Sequence, residues 1–455
     1  MTVKPKFDGE VRPSTYQDLL ATDSRPAPAL LGETTVDFGL EPVPASNYTS
    51  RAFFEKEIEK VWLKTWQYVC REEHVPEPGD TYVYDLLDKT AIVTRQPDGS
   101  LKAMQNVCLH RGRKLVTSGG CKQQFRCPYH GFTWNTDGSF RENPFGWDFP
   151  QIDPKRFSLP ELRLETWAGF VFINFDPAAT PLKEQMWPLT EHLEHWRIED
   201  CTMVAHVGKI AHANWKACAE AFLESHHVYT THPQINGTNA FESTQYDVLS
   251  DHVTRFISPV AVTSAFHPKL DDEQRVALLF GRAGMRMDSQ AEVVLGPGQT
   301  ARAYAAENAR RELAAATGFD FEGAGDAEVT DGIAYDFFPS FHLWGGYRDK
   351  ICYRFRPWEM DHEKTLLEVM LFRIAPKDGP KPPPAAFNML GEDDPWSGAA
   401  ELGFLAGVYD QDQSNMAPVQ AGLRALGETG VVQFSRYQEI RCRNLHRMVA
   451  EYMKR

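Results

Sequence analysis

The chain has 455 residues, 42% of them hydrophobic, and a formal net charge of -14. That length calls for more than one core and suggests two domains, one inserted in the other. The acidic balance excludes the clustered basic field of a nucleic-acid binder and suits a globular protein that docks to a basic redox partner.

Residues 1–10 hold no apolar h-region, and no apolar run approaches the ~20 residues that span a bilayer. A cytosolic chain with no membrane partner is expected. Its eight cysteines should then be reduced, buried or metal-bound. Cys70, Cys121, Cys201, Cys218, Cys352 and Cys442 read as small buried apolar residues. Cys108 and Cys127 stand apart, because each lies two or three residues from a histidine.

In chain order, residues 1–45 read as an irregular, proline-bearing arm. Between 46 and 66, Phe53, Phe54, Ile58, Val61 and Trp62 recur at helical spacing, which predicts an amphipathic helix over 51–66 leading into the next domain. Short alternating runs at 81–85, 91–95 and 169–174 make 67–176 an all-β module, with a hairpin turn at 135–138. The remainder, 177–455, alternates helices over 182–196, 215–229, 395–426 and 435–453 with strands over 252–258, 337–344, 350–356 and 366–374. Residues 269–328 are polar with short helices, and 377–384 form a loop. The fold class is α+β: an all-β module inserted near the N-terminus of a domain with an antiparallel sheet and flanking, helix-grip-like helices.

The all-β module carries Cys108-Leu109-His110 and, after sixteen residues, Cys127-Pro128-Tyr129-His130. Two thiolates and two imidazoles, one of each per loop, can replace all-cysteine ligation of a [2Fe–2S] cluster. The same set suits tetrahedral zinc. Zinc knuckles, however, pair Cys with Cys and His with His, whereas each loop here is mixed. Further on, Glu224 and His227 lie three apart, on one face of a predicted helix. His232 follows beside Pro233, where that helix should end. Two imidazoles plus a distant carboxylate, Asp410 or Asp412, make the facial triad of non-haem iron(II) enzymes. His226 would point about 100° away and reads as packing or as a support to the ligand residues.

The stretches 106–112 and 126–134 resemble the cluster loops of the Rieske non-haem iron oxygenases, in particular the catalytic α subunit of ring-hydroxylating members. The similarity extends over 46–455, including 337–340 and 353–358, and is weak in 1–45 and 269–328. The resemblance implies that Cys108 and Cys127 hold one cluster iron and His110 and His130 the other. It implies a mononuclear iron on His227, His232 and Asp412, with Asp412 preferred to Asp410. It gives Glu224 the task of joining His130 of a neighbouring copy to His227, hence a homotrimer, with or without a β subunit. Electrons would come from NAD(P)H through a reductase, often with a ferredoxin. Two departures stand out: Glu224 occupies a position where ring dioxygenases commonly have Asp, and Ala221 one where the family often has Asn.

The expected reaction is hydroxylation, foremost cis-dihydroxylation, of a hydrophobic aromatic or polycyclic substrate with O2. Monooxygenation or oxidative demethylation, including that of a quaternary amine, is the alternative within the family. An electron-transfer or zinc-binding protein is the alternative outside it. Phe222, Phe256, Phe338, Phe341, Trp344, Phe355, Phe404 and Tyr409 are candidate pocket walls. Arg255, Arg282 and Arg302 could receive a substrate carboxylate but read foremost as solvated surface.

Overall fold

A computed structural model of the protein describes residues 14–34, 36–280 and 295–455. The chain divides into two compact units. One comprises Glu55–Gln185 with Pro357–Met360; the other comprises the chain up to Phe54 with Met186–Arg356 and Asp361–Arg455.

The smaller unit is built from an antiparallel six-stranded sheet and a three-stranded one. The large sheet takes Gln67–Arg71 (β1), Thr81–Leu86 (β2), Lys89–Arg95 (β3) and Leu101–Gln105 (β4). The small sheet follows with Phe125–Arg126 (β5), Thr133–Trp134 (β6) and Phe140–Glu142 (β7). Glu161–Trp167 (β8) and Phe170–Asn174 (β9) then return to the large sheet, whose order is β1-β9-β8-β4-β3-β2. Ile92, Met104, Phe125, Phe132 and Trp134 form a core around Cys108 and Cys127.

The larger unit contains an eight-stranded sheet of Cys201–Ala211 (β10), Gln245–Val248 (β11), Val253–Ser258 (β12), Gly332–Phe337 (β13), Phe341–Trp344 (β14), Lys350–Trp358 (β15), Asp361–Ile374 (β16) and Asn388–Met389 (β17). Its order is β11-β12-β13-β14-β15-β16-β10-β17. Trp215–Glu220 (α1), Val228–Thr231 (α2), Asp272–Phe280 (α3), Ala301–Thr317 (α4), Leu405–Leu426 (α5) and Ile440–Lys454 (α6) accompany it. Helix α6 grips the sheet: Tyr452 stacks on Phe338 at 5.4 Å, and Arg441 donates to Thr254 Oγ1 at 3.0 Å. Among the described residues, no helix is long and apolar enough to cross a membrane.

Several expected elements are broken, each for a local reason. The helix over 51–66 turns π-helical at Ile58–Trp62. That over 182–196 divides at Pro188, which has no N–H to give. The strand over 337–344 becomes two strands around Pro339, where Ser340 Oγ takes the Phe355 N–H at 2.7 Å. The helix over 395–426 begins only at Leu405, because Asp410 caps a separate turn at Trp396–Gly398. The arm is less irregular than expected: Thr15 and Asp18 cap a helix at Tyr16–Leu20, and Val43–Pro44 pairs with Val431–Val432. Five of the six unassigned cysteines are buried, but Cys121 is exposed, in the polar turn before β5.

Candidate metal centres

In the smaller unit the two cysteine loops are built alike. Each cysteine N–H reaches the carbonyl five residues on (Arg113, Phe132), and each cysteine carbonyl accepts from a glycine N–H (Gly112, Gly131), all at 2.8–2.9 Å. Both glycines have positive φ, 75° and 80°, a conformation that closes such a loop without a Cβ clash. The loops bring Cys108 and Cys127 together in the core, where burial pushes the Cys108 thiol up. His110 and His130 lie together nearer the surface, with ring centroids 4.7 Å apart. The Nδ1 of His130 is buried without a hydrogen-bond partner, as a nitrogen reserved for a metal would be. Backbone N–H groups of His110 and Arg111 are directed at the Cys108 sulfur and favour its thiolate. Buried sulfurs, outward imidazoles and an orphaned ring nitrogen fit a cluster with mixed ligation.

In the larger unit, the helix expected over 215–229 is interrupted at 221–227. Ser225 gives its N–H to Tyr246 Oη at 3.0 Å, and the Glu224 carboxylate takes the His227 N–H at 3.0 Å. With these donors held by side chains, the ladder stops and a turn joins α1 to α2. Glu224 and His227 therefore meet across a turn, not along a helix face. Glu224 Oε1 accepts the His227 ring N–H (Nδ1) at 2.6 Å, which turns Nε2 inward. Burial would raise the Glu224 carboxyl, but His226 and His227 outweigh it and hold the group at about 2. His226 takes the supporting place of the two expected for it: its Nδ1 lies 2.9 Å from Glu224 Oε2.

Helix α2 ends at His232, before Pro233. The third member comes from α5, whose buried positions Tyr409, Asp412, Met416, Gln420 and Leu423 recur at three- and four-residue spacing. Asp412 lies on that stripe and faces both histidines. Its Oδ1 is 2.9 Å from His232 Nε2 and 3.7 Å from His227 Nε2. Asp410 is turned elsewhere and accepts the N–H groups of Trp396 and Ser397 at 2.6 and 3.2 Å. One donor atom from each of His227, His232 and Asp412 lies within 4.8 Å of the others. Cis ligands about 2.1 Å from a first-row metal stand about 3 Å apart, so this donor set fits one ion with positions left open.

A cavity of about 220 Å³ adjoins the triad, and Glu224, His227, His232 and Asp412 form part of its wall. Phe222, Phe256, Trp344, Phe404 and Tyr409 line it as expected. Phe338, Phe341 and Phe355 do not. Phe338 packs on α6, Phe341 is an odd number of residues from Trp344 and takes the other sheet face, and Phe355 lies behind Phe222 at 5.2 Å. Arg255 and Arg302 are not solvated: Arg255 is buried against Asp247 at 2.7 Å, and Arg302 against Asp331 at 2.6 Å. Arg282 lies outside the described residues. The sequence reading missed Tyr353 and Arg348 in the cavity wall, and Gln411, whose Oε1 is 2.7 Å from His232 Nδ1. Adjacency to Asp412 was the available signal for Gln411.

Comparison with known proteins bears on both centres. Residues 65–151 match the Rieske [2Fe-2S] domain, and residues 190–455 match the ring hydroxylating alpha subunit (catalytic domain). The oxygenase subunit of carnitine monooxygenase from Acinetobacter pittii is 33% identical over 193 residues, 42% of this chain and 52% of that protein. The large oxygenase component of the naphthalene 1,2-dioxygenase system from Pseudomonas aeruginosa is 34% identical over 202 residues, 42% of this chain and 44% of that protein. The chain thus matches about half the length of these relatives. The solved structure of a quaternary ammonium Rieske monooxygenase has the same fold, with a TM-score of 0.65 over 92% of this chain and 96% of that one at 20% identity. The chain therefore belongs to the ring-hydroxylating Rieske non-haem iron oxygenases, a family whose members carry a Rieske [2Fe–2S] cluster and a mononuclear iron.

Proposed function

We propose that this chain is the oxygen-activating subunit of an oxygenase that cis-dihydroxylates a hydrophobic ring substrate. The observation that carries this reading is the aromatic-walled cavity opening on the His227, His232 and Asp412 donors. In this reading Cys108, His110, Cys127 and His130 hold the cluster, and His227, His232 and Asp412 hold the iron. When bound, that iron activates O2 with electrons delivered through the cluster. The chain's own groups do the rest. Glu224 keeps a proton on His227 Nδ1, so that Nε2 presents a lone pair. Asp412 supplies a buried negative charge. Phe222, Tyr353 and Tyr409 exclude water and offer flat faces against which a ring can lie. Several polar groups in the wall are satisfied within the protein: Ser258 Oγ receives Asn239 and Thr244, and Thr330 donates to Asp326 O. Such a surface favours an apolar guest.

The redox partners in this reading are a reductase and a ferredoxin. Glu224 would join His227 to His130 of a neighbouring copy, making a homotrimer the working unit. A second reading, monooxygenation or demethylation of a quaternary amine, draws on the same aromatic faces. Phe222, Tyr353 and Tyr409, with centroids 4.7–6.4 Å apart beside two carboxylates, would also attract a cation. Turnover with a surrogate reductase, isotopically labelled O2, and naphthalene or carnitine as probes separates the two. A cis-diol carrying both atoms of one O2 supports dihydroxylation. A product with one labelled oxygen, or an aldehyde released from the amine, supports the second reading. Metal analysis giving about three irons and two sulfides per chain is required by both; zinc alone would refute both.

A further inference from the structure

We infer that Gln411 is a positioning residue for the iron centre, fixing His232 as an Nε2 ligand, and that Gln234 restrains the Gln411 amide. The inference rests on the reading of His232 and Asp412 as ligands.

The His232 ring is buried, with 2% of its surface exposed, so each ring nitrogen needs a protein partner or a metal. Nδ1 lies 2.7 Å from Gln411 Oε1, and Nε2 lies 2.9 Å from Asp412 Oδ1. Consecutive residues of α5 therefore bracket the two nitrogens of one ring. An amide oxygen only accepts, so it calls for the N–H on Nδ1 and leaves the Nε2 lone pair for a metal held between His232 and Asp412. A free amide could turn over and present its NH2 to His232, which would demand the opposite tautomer. Gln234 restrains this: its Nε2 donates to the same Gln411 Oε1 at 2.8 Å. The Gln411 Nε2 in turn lies 3.4 Å from Gln234 Oε1. Turning the Gln411 amide alone would set NH2 against NH2, so it can turn only together with that of Gln234.

The two imidazoles of the triad are thus supported differently. His227 leans on a carboxylate at 2.6 Å and His232 on a neutral amide at 2.7 Å. A carboxylate partner makes an imidazole a stronger donor than an amide does. The pairing grades the two nitrogens and keeps the net charge of the centre from becoming more negative.

The test measures Fe(II) binding to protein whose mononuclear site has been emptied with a mild chelator while the cluster is retained. Anaerobic titration against a chromophoric competitor is combined with Co(II) spectra of the same site. Gln411→Leu should weaken Fe(II) binding about 10- to 100-fold, with the cluster spectrum unchanged. Gln411→Glu, which restores an acceptor, should bind at least as tightly as the parent and shift the Co(II) bands. Gln234→Leu, which frees the amide to turn, should fall between Gln411→Leu and the parent. Gln411→Leu binding within about threefold of the parent overturns the inference, as does Gln411→Glu binding as weakly as Gln411→Leu. His232→Ala is the control. Retained iron in it refutes the ligand reading itself, whereas lost iron in it beside an unaffected Gln411→Leu refutes only the role of Gln411.

Discussion

Substituting Glu224 with glutamine removes one charge and changes little else in shape. The carboxylate accepts the His227 ring N–H at 2.6 Å on Oε1 and the His227 backbone N–H at 3.0 Å on Oε2, and His226 Nδ1 approaches Oε2 at 2.9 Å. An amide keeps one accepting oxygen and turns an NH2 toward the remaining donors. Losing a charge-assisted bond and orphaning a buried N–H costs about 2–3 kcal/mol. A similar figure follows from the carboxyl itself: held at about 2 against an ordinary 4.5, it prefers the ionised form by about 3 kcal/mol. Glu224→Gln should therefore weaken Fe(II) binding about 30- to 150-fold and slow cluster oxidation in a single turnover, with the cluster spectrum intact. The pH dependence of the metal-free protein has a definite sign. A depressed carboxyl stabilises above pH 4.5 and loses that contribution as pH falls toward 2. His226 is raised by its hydrogen bond to Glu224. Burial lowers His227, but Glu224 and Asp412 outweigh it, so His227 is raised too. Their contribution is full below pH 6.5 and is lost as pH climbs through the raised values. Thermal melts should show a larger penalty for Glu224→Gln near pH ~5.5 than near ~8.5. Fe(II) affinity within about threefold of the parent, with unchanged cluster oxidation, would refute the reasoning.

Asp412→Ala should abolish mononuclear iron and oxygenation while the cluster absorbance survives; iron retained at stoichiometric level would remove Asp412 from the triad. Asp410→Ala should keep that iron but lower stability by about 1–2 kcal/mol, because the Trp396 and Ser397 N–H groups lose their cap. Glu368 is buried between Arg354 at 2.6 Å, Arg356 at 2.9 Å and His206 at 3.1 Å. Glu368→Gln removes the negative charge facing two guanidinium groups and should cost about 3–5 kcal/mol in chemical denaturation. Burial opposes ionisation of Glu368, but the two arginines hold its carboxyl well below the ordinary range. The penalty should therefore hold above pH ~4.5 and shrink in acid.

How much could be read from residues alone depended on how local each signal is. The cluster loops are short, self-contained turns whose hydrogen bonds close within five residues, so spacing revealed them. The antiparallel strand pairs followed from alternation, a property of neighbours; the parallel edge pair of β10 and β17 did not. The break at 221–227 did not, because the groups that halt the helix, Tyr246 and the Glu224 carboxylate, act through side chains that helical periodicity does not register. The choice between Asp410 and Asp412 turns on which face of α5 is buried. Two acidic residues two apart look alike until the helix has a partner. The cavity wall was half legible for the same reason: Phe341 and Trp344 are equally aromatic, and only their places in the β13–β14 ladder separate them.

The order in which the units occur along the chain has a consequence for biogenesis. Almost all of the smaller unit is one continuous stretch, Glu55–Gln185, so the cluster loops can close soon after leaving the ribosome. The larger unit has no such continuity. Tyr16 waits for Asp331, to which it donates at 2.8 Å, and Val43 waits for Val432. At ~5–20 residues per second, the second pairing is delayed by roughly 20–80 s. Asp412 emerges late in the same interval. During synthesis, the smaller unit can therefore be complete while His227, His232 and Asp412 are not yet assembled, so under the proposed function a half-made chain would hold its cluster loops but no site for oxygen.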